Sequence, residues 1–135
     1  MGRRKTPAQW DQALNRWTRS LGDYTAKAIL EVSEKMAQRA RVLCPRGSGP
    51  GRGDAILSEH IRVRQLKRKN FNIRGGIETF GKAGHAHLVE FGTVKMRAQP
   101  FMRPAVDAEL ANLYKGLEKA IADSAERVDA AYRRP

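Results

Sequence analysis

The sequence holds one cysteine, Cys44, and six prolines; aromatics make up 7% of its 135 residues, and 14 Asp plus Glu stand against 26 Lys plus Arg. Each shortage excludes something. One thiol cannot close an internal disulfide, and without a Cys/His cluster a structural zinc site is not expected. No apolar run approaches the ~20 residues that cross a bilayer, and Met1-Gly2-Arg3-Arg4-Lys5 leads into a polar helix, not an apolar signal segment. A soluble chain with no membrane partner is expected. Its length suits a single domain, residues 1–135, with one modest core.

What the chain has in excess is positive charge, +12 in all, with a pI near 10.6. Residues 1–104 carry 21 basic and 8 acidic side chains, while residues 105–135 carry 5 and 6. Between 41 and 75 nine cations face only Asp54 and Glu59, so an electrostatic partner, either nucleic acid or an acidic protein, should meet this middle region.

Pro7 suits a first helical turn, and Trp10, Leu14, Trp17, Leu21, Tyr24 and Ala28 follow at steps of four and three. The stripe runs on through Val32, Met36, Ala40 and Leu43, predicting helix over 7–43 that stops before Cys44-Pro45. Gly22-Asp23 leaves open one bent helix or two, because glycine costs about 1 kcal/mol in a helix and Asp23 suits a cap. The four glycines and two prolines of residues 45–54 predict a flexible loop.

The region 56–92 reads as sheet. Leu57, Ile61 and Val63 alternate with His60, Arg62 and Arg64, as in a half-buried strand with a basic outer face. Lys67-Arg68-Lys69-Asn70 reads as a polar hairpin connection. Phe71, Ile73, Ile77 and Thr79 then mark a second strand, with Gly75-Gly76 a bulge or close backbone approach. Residues 86–91 read as a third strand, with a short helical turn closed by Gly92 as the alternative. After a connection over 93–100, a helix over 101–132 follows from Val106, Leu110, Leu113, Leu117, Ile121, Val128 and Tyr132 on one side. The predicted fold is α+β: long N-terminal and C-terminal helices packed on the apolar face of a small antiparallel sheet of about three strands.

Several motifs are set aside. Gly47 to Gly53 lacks the Lys-Ser/Thr of a phosphate loop, and Arg52-Gly53-Asp54 is a chance product of a Gly/Arg-rich loop. His85 and His87, even with His60, lack the carboxylate or cysteine spacing of a metal site. Glu90 is a charge in an apolar stretch, but no nucleophile, base and orienting partner can be assembled around it, so it is expected to pair with an arginine such as Arg103. No enzyme activity, metal or cofactor is expected. Arg62, Arg64, Lys67, Arg68, Lys69 and Arg74 form the candidate surface for DNA phosphates or an acidic partner.

The stretch His87-Leu88-Val89-Glu90-Phe91-Gly92-Thr93, followed by Ala98-Gln99-Pro100-Phe101-Met102-Arg103-Pro104-Ala105, resembles the tail-completion proteins of long-tailed phages. That family is named for gene product ten of a lambdoid siphophage. Its pattern is apolar-Glu-aromatic-Gly-Thr, a variable loop, then Pro-Phe-apolar-Arg-Pro-Ala opening the last helix. The likeness extends over about residues 24–125, through the helix ending Ala-x-x-x-Cys-Pro and the Leu57-Ser58-x-x-Ile61-x-Val63 stretch, and departs from the family at the longer loop Arg46 to Gly53. Glu90, Gly92, Thr93, Pro100, Phe101, Arg103 and Pro104 are thereby implied to be structural.

The resemblance implies a virion protein of the neck or upper tail, made in the host cytoplasm. There it would form a ring of six or twelve copies that joins the tail to the DNA-filled head, beside tail-terminator and tail-tube proteins. A tail-terminator ring is the nearest alternative, and a free basic DNA-binding protein an alternative of another class. Duplex DNA carries one charge per ~1.7 Å, so a ring ~40 Å tall encloses about 24 phosphates. Six copies at +12 already exceed that, so only a few cations per subunit are expected to face threaded DNA and the rest to meet acidic neighbours.

Overall fold

The computed structural model describes residues 6–45, 57–64, 66–69, 72–81 and 83–133, with side chains described to residue 130. The predicted loop 45–54 beyond Pro45, the residues Asn70 and Phe71, and the Tyr132 side chain lie outside the described residues. Helix α1 (Pro7–Leu43) leads through a 3₁₀ turn (Leu57–His60) to four short strands, β1 (Ile61–Val63), β2 (Lys67–Lys69), β3 (Asn72–Arg74) and β4 (Ile77–Thr79). Helix α2 (Ala86–Phe91) and helix α3 (Met102–Arg133) complete the chain. The fold is α+β.

Thr6 and Pro7 start α1: the Thr6 backbone N–H donates to Gln9 Oε1 at 2.9 Å, and Pro7 needs no hydrogen-bond partner in the first turn. The helix runs unbroken through Gly22 and Asp23, which resolves the open choice in favour of one helix. It ends where Cys44, before Pro45, turns to extended geometry (φ −61°, ψ 125°). At 37 residues it is about 55 Å long.

The strands form two antiparallel pairs along one ribbon. Ile61 pairs with Thr79, Arg62 with Glu78 and Val63 with Ile77; further out, Lys67 pairs with Arg74, Arg68 with Ile73 and Lys69 with Asn72. The predicted hairpin connection at 67–69 is therefore strand, and the predicted second strand is split at Gly75-Gly76. The split is a close approach: a Cβ on Gly75 would sit 2.5 Å from Ile29 Cγ2 of α1. The predicted first strand is shorter than expected, because Leu57–His60 is a 3₁₀ turn.

Two expectations are corrected. Residues 86–91 are helix and not a third strand: Ala86 is buried, Val89 packs on the core and Glu90 is half-buried, the i, i+3, i+4 spacing of one helical face. The helices also do not lie side by side on the sheet. The sheet packs on α1, and α3 packs along α1, so α1 is the central element. Arg39 meets Glu109 near one end of the helix pair and Tyr24 meets Arg127 towards the other, which makes the pair antiparallel. The core lies at one end of it: Ala37 and Ala40 of α1 with Cys44 just past its end, Leu57, Ile61, Phe101 just before α3, and Ala105 of α3. Among the described residues no helix is long and apolar enough to cross a membrane.

Candidate interaction surface

The motif residues close into one joint. Glu90, on the inner face of α2, points its carboxylate at the start of α3: Oε2 accepts from the backbone N–H of Phe101 (2.8 Å) and Met102 (3.0 Å), and Oε1 from that of Arg103 (3.0 Å). A helix leaves its first four N–H groups without intrahelical partners. Here three go to Glu90, and the fourth position is Pro104, which has no N–H. Burial pushes the Glu90 carboxyl up, but the N–H donors of Met102, Phe101 and Arg103 with the Arg103 charge outweigh it and hold the group below the usual carboxylate range. Glu90 thus caps backbone in addition to sensing Arg103, whose guanidinium lies over the Phe91 ring at 5.5 Å.

The rest of the motif positions that cap. Gly92 ends α2 at φ 78°, ψ 177°, a region nearly closed to other residues, and a Cβ there would lie 2.7 Å from Ala98 N. Thr93 pairs with Met96 and its Oγ1 accepts from the backbone of Lys95 (3.2 Å) and Met96 (3.1 Å). The loop then returns so that Gln99 N donates to Val89 O at 2.9 Å, and Pro100 delivers Phe101 into the core with no exposure. Phe91 remains 67% exposed, and Val94 is fully exposed.

The six predicted interface cations are not equivalent. Arg62 and Arg64 both pair with Glu78, at 3.1 and 3.4 Å, and Arg62 also lies over the Phe80 ring at 4.5 Å. Arg68 reaches from β2 to Asp23 of α1 (2.7 Å) and covers Gly22. Arg74 donates to Asn72 Oδ1 at 3.3 Å, while Lys67 and Lys69 form no ion pair among the described residues. The ribbon turns Arg68 and Ile73 towards α1, where they line with Arg19 and Gly22 a cavity of about 390 Å³; Lys67, Lys69 and Arg74 alternate with them along the strands. Arg19 and Arg16, together with Arg127 of α3, were missed in the sequence, where 111 positions separate Arg16 from Arg127. Only the pairing register of the two helices could have joined them.

A larger groove of about 680 Å³ opens between the sheet and α3, with Ile29, Val32 and Met36 as floor, Ile77 on one wall and Val106 and Leu110 on the other. Below it, Arg39 Nη2 donates to Glu109 Oε1 at 2.7 Å and Asn112 Nδ2 to Oε2 at 2.7 Å. Those hydrogen bonds from Asn112 and Arg39 hold the Glu109 carboxyl, 3% exposed, below its ordinary range and pin α3 to α1. No group of three or more potential ligands that could hold a metal ion occurs among the described residues.

No protein-family model matches the chain, and no solved structure matches it. A stretch of 62 residues, 45% of this chain, is 39% identical to protoporphyrinogen oxidase of Bos taurus. The chain spans 13% of the length of that relative.

Proposed function

We propose that this protein is an architectural subunit of a tailed phage: a tail-completion protein of the neck or upper tail, built into a ring of six or twelve copies that joins the tail to the DNA-filled head. The observation that carries the reading is the surface the chain leaves open. Among the described residues, Trp10, Leu14, Phe91, Val94, Tyr114 and Ile121 are each more than half exposed. A ring subunit buries roughly 800 Å² against each of its two neighbours in a standard interface. Exposed Phe91, Val94, Tyr114 and Ile121 supply apolar area for such contacts.

The joint supports the same reading. Glu90, Gly92, Thr93, Pro100, Phe101, Arg103 and Pro104, on which the resemblance rests, spend their chemistry on fixing one helix start, a structural use. The partners are further copies of the chain and acidic surfaces of neighbouring neck, terminator or tube proteins, with Lys67 and Lys69 free to meet these or threaded duplex DNA. The chain is not an enzyme in this reading; the likeness to an oxidase covers 13% of that protein, too little to carry an activity over.

The test is to image particles assembled without this protein. Separate full heads and finished tails are the expected result; tails of uncontrolled length would assign it to termination, and normal infectious virions would overturn both. Filter binding separates the remaining class. A free DNA-binding protein holds duplex at physiological salt with a steep salt slope, and a neck subunit does not.

A further inference from the structure

Three arginines from two helices border one cavity away from the core. Arg16 and Arg19 of α1 and Arg127 of α3 line a space of about 420 Å³ together with Ser20 and Asp23. The single carboxylate among them is engaged, since Asp23 Oδ1 accepts from Arg68 Nη1 at 2.7 Å. Arg16 and Arg19 form no ion pair among the described residues, and Arg127 makes only a long contact, Nη1 to Tyr24 Oη at 3.4 Å.

Ser20 is the second observation. Its Oγ is buried and has no hydrogen-bond partner in the protein, the one such side-chain atom among the described residues. The helix offers it an obvious acceptor, the carbonyl one turn back, which Thr25 uses at Leu21 (2.9 Å). An unmade buried hydrogen bond costs stability, so an unused hydroxyl in the lining of a cavity shared with three arginines points to a ligand that supplies the acceptor once the side chains covering it move aside.

The donor set selects the ligand. Each guanidinium has five N–H donors and no acceptor, and here three of them approach from two helices. A carboxylate accepts through two oxygens lying in one plane; a tetrahedral oxyanion, with more oxygens pointing out of any one plane, can accept from guanidinium groups on several sides at once. We propose that this cavity binds a phosphate group through Arg16, Arg19, Arg127 and the Ser20 hydroxyl. The site adjoins the strand cation Arg68 through Asp23 but does not include Lys67 or Lys69, and it does not depend on the ring reading. Free phosphate and the backbone phosphate of duplex DNA share this chemistry.

The experiment compares inorganic phosphate with chloride at equal ionic strength, following thermal melting and binding by calorimetry. The unaltered protein, Arg16→Gln/Arg127→Gln, Ser20→Ala and the control Lys67→Gln/Lys69→Gln are measured, with melting in chloride read first to verify folding. Phosphate is expected to raise the melting temperature beyond chloride. The double arginine variant should lose about ten-fold or more in phosphate affinity, and the lysine control should bind as the unaltered protein does. Ser20→Ala provides a split that a structural serine would not produce: a higher melting temperature without phosphate, because a buried unsatisfied hydroxyl is gone, together with several-fold weaker phosphate binding. A second arm uses a short duplex. Loss of duplex binding in the arginine variant, with competition by phosphate, assigns the ligand to the DNA backbone; unchanged duplex binding with phosphate binding lost assigns it to the free ion. Equal effects of phosphate and chloride on the unaltered protein, or undiminished phosphate binding in the folded arginine variant, would overturn the proposal.

Discussion

Replacing Glu90 by glutamine keeps the shape of the side chain and removes the charge shared by three N–H groups of α3. Capping by a charged acceptor is worth about 1–3 kcal/mol, so Glu90→Gln should lower the unfolding free energy by that order at neutral pH, measured by urea denaturation. The sign of its pH dependence follows from the depressed carboxyl. Its stabilisation is complete above the unfolded value near 4.5 and is lost as pH falls through the lower folded value. The gap between native and Glu90→Gln should therefore close in acid, and a gap of constant size would show that the charge is irrelevant. Gly92→Ala acts on the same joint by sterics: positive φ and a Cβ 2.7 Å from Ala98 N and 2.9 Å from Met96 O force backbone to move. A loss of about 2–3 kcal/mol is expected on melting, with Ala98→Gly unable to restore it, since the blocking atoms are main chain. Gly92 and the prolines could be read from the sequence as fixed geometry. The Glu90 cap could not, because it depends on a loop that brings residue 101 back to residue 90, and local spacing offered only Arg103 as a partner for the charge.

At the scale of elements, α1 illustrates how a local rule yields to a tertiary contact. Gly22-Asp23 looks like a helix break, yet the pair forms a seat: Arg68 of β2 lies over the bare Cα of Gly22 and bonds Asp23 at 2.7 Å. Alanine at an ordinary helix interior gains about 1 kcal/mol over glycine. Here its Cβ would collide with the Arg68 guanidinium, which must then leave Asp23. Gly22→Ala should give little or no gain in the native background, where the lost exposed ion pair offsets up to about 1 kcal/mol, and close to the full gain in an Arg68→Ala background. A denaturation double-mutant cycle reads that coupling, and additive effects would remove Arg68 from its seat. Both long helices were legible because their apolar stripes run for many turns. The short elements were not. Lys67–Lys69 has no apolar residue to betray a strand and is held by cross-strand backbone bonds, while the six residues of α2 are too few for periodicity to separate helix from strand.

At the scale of the molecule, burial is unevenly distributed along the helix pair, and stability should follow it. Near the core, Val32, Met36, Ala37 and Ala40 of α1 are buried with Phe101, which precedes α3, and Ala105 of α3, and the Arg39–Glu109–Asn112 bonds add a polar clasp. Towards the other end, among the described residues, only small side chains are buried, Ala13 of α1 with Ala120 and Ser124 of α3, while Trp10, Leu14 and Ile121 are each about half exposed. Small buried side chains remove little apolar area from water, and a long helix is marginal without a packed face. Native-state hydrogen exchange should therefore show two tiers. Amides of residues 32–44 and 102–112 are expected to exchange only by global unfolding, and those of residues 10–25 and 118–130 through local opening about a hundred-fold or more faster. Equal protection along both helices would mean that the small-residue seam packs as firmly as the core. If neighbouring subunits cover the exposed apolar side chains of that half, assembly should raise protection in the faster tier and leave the slower one unchanged, because only the loosely packed half has stability still to gain from a partner.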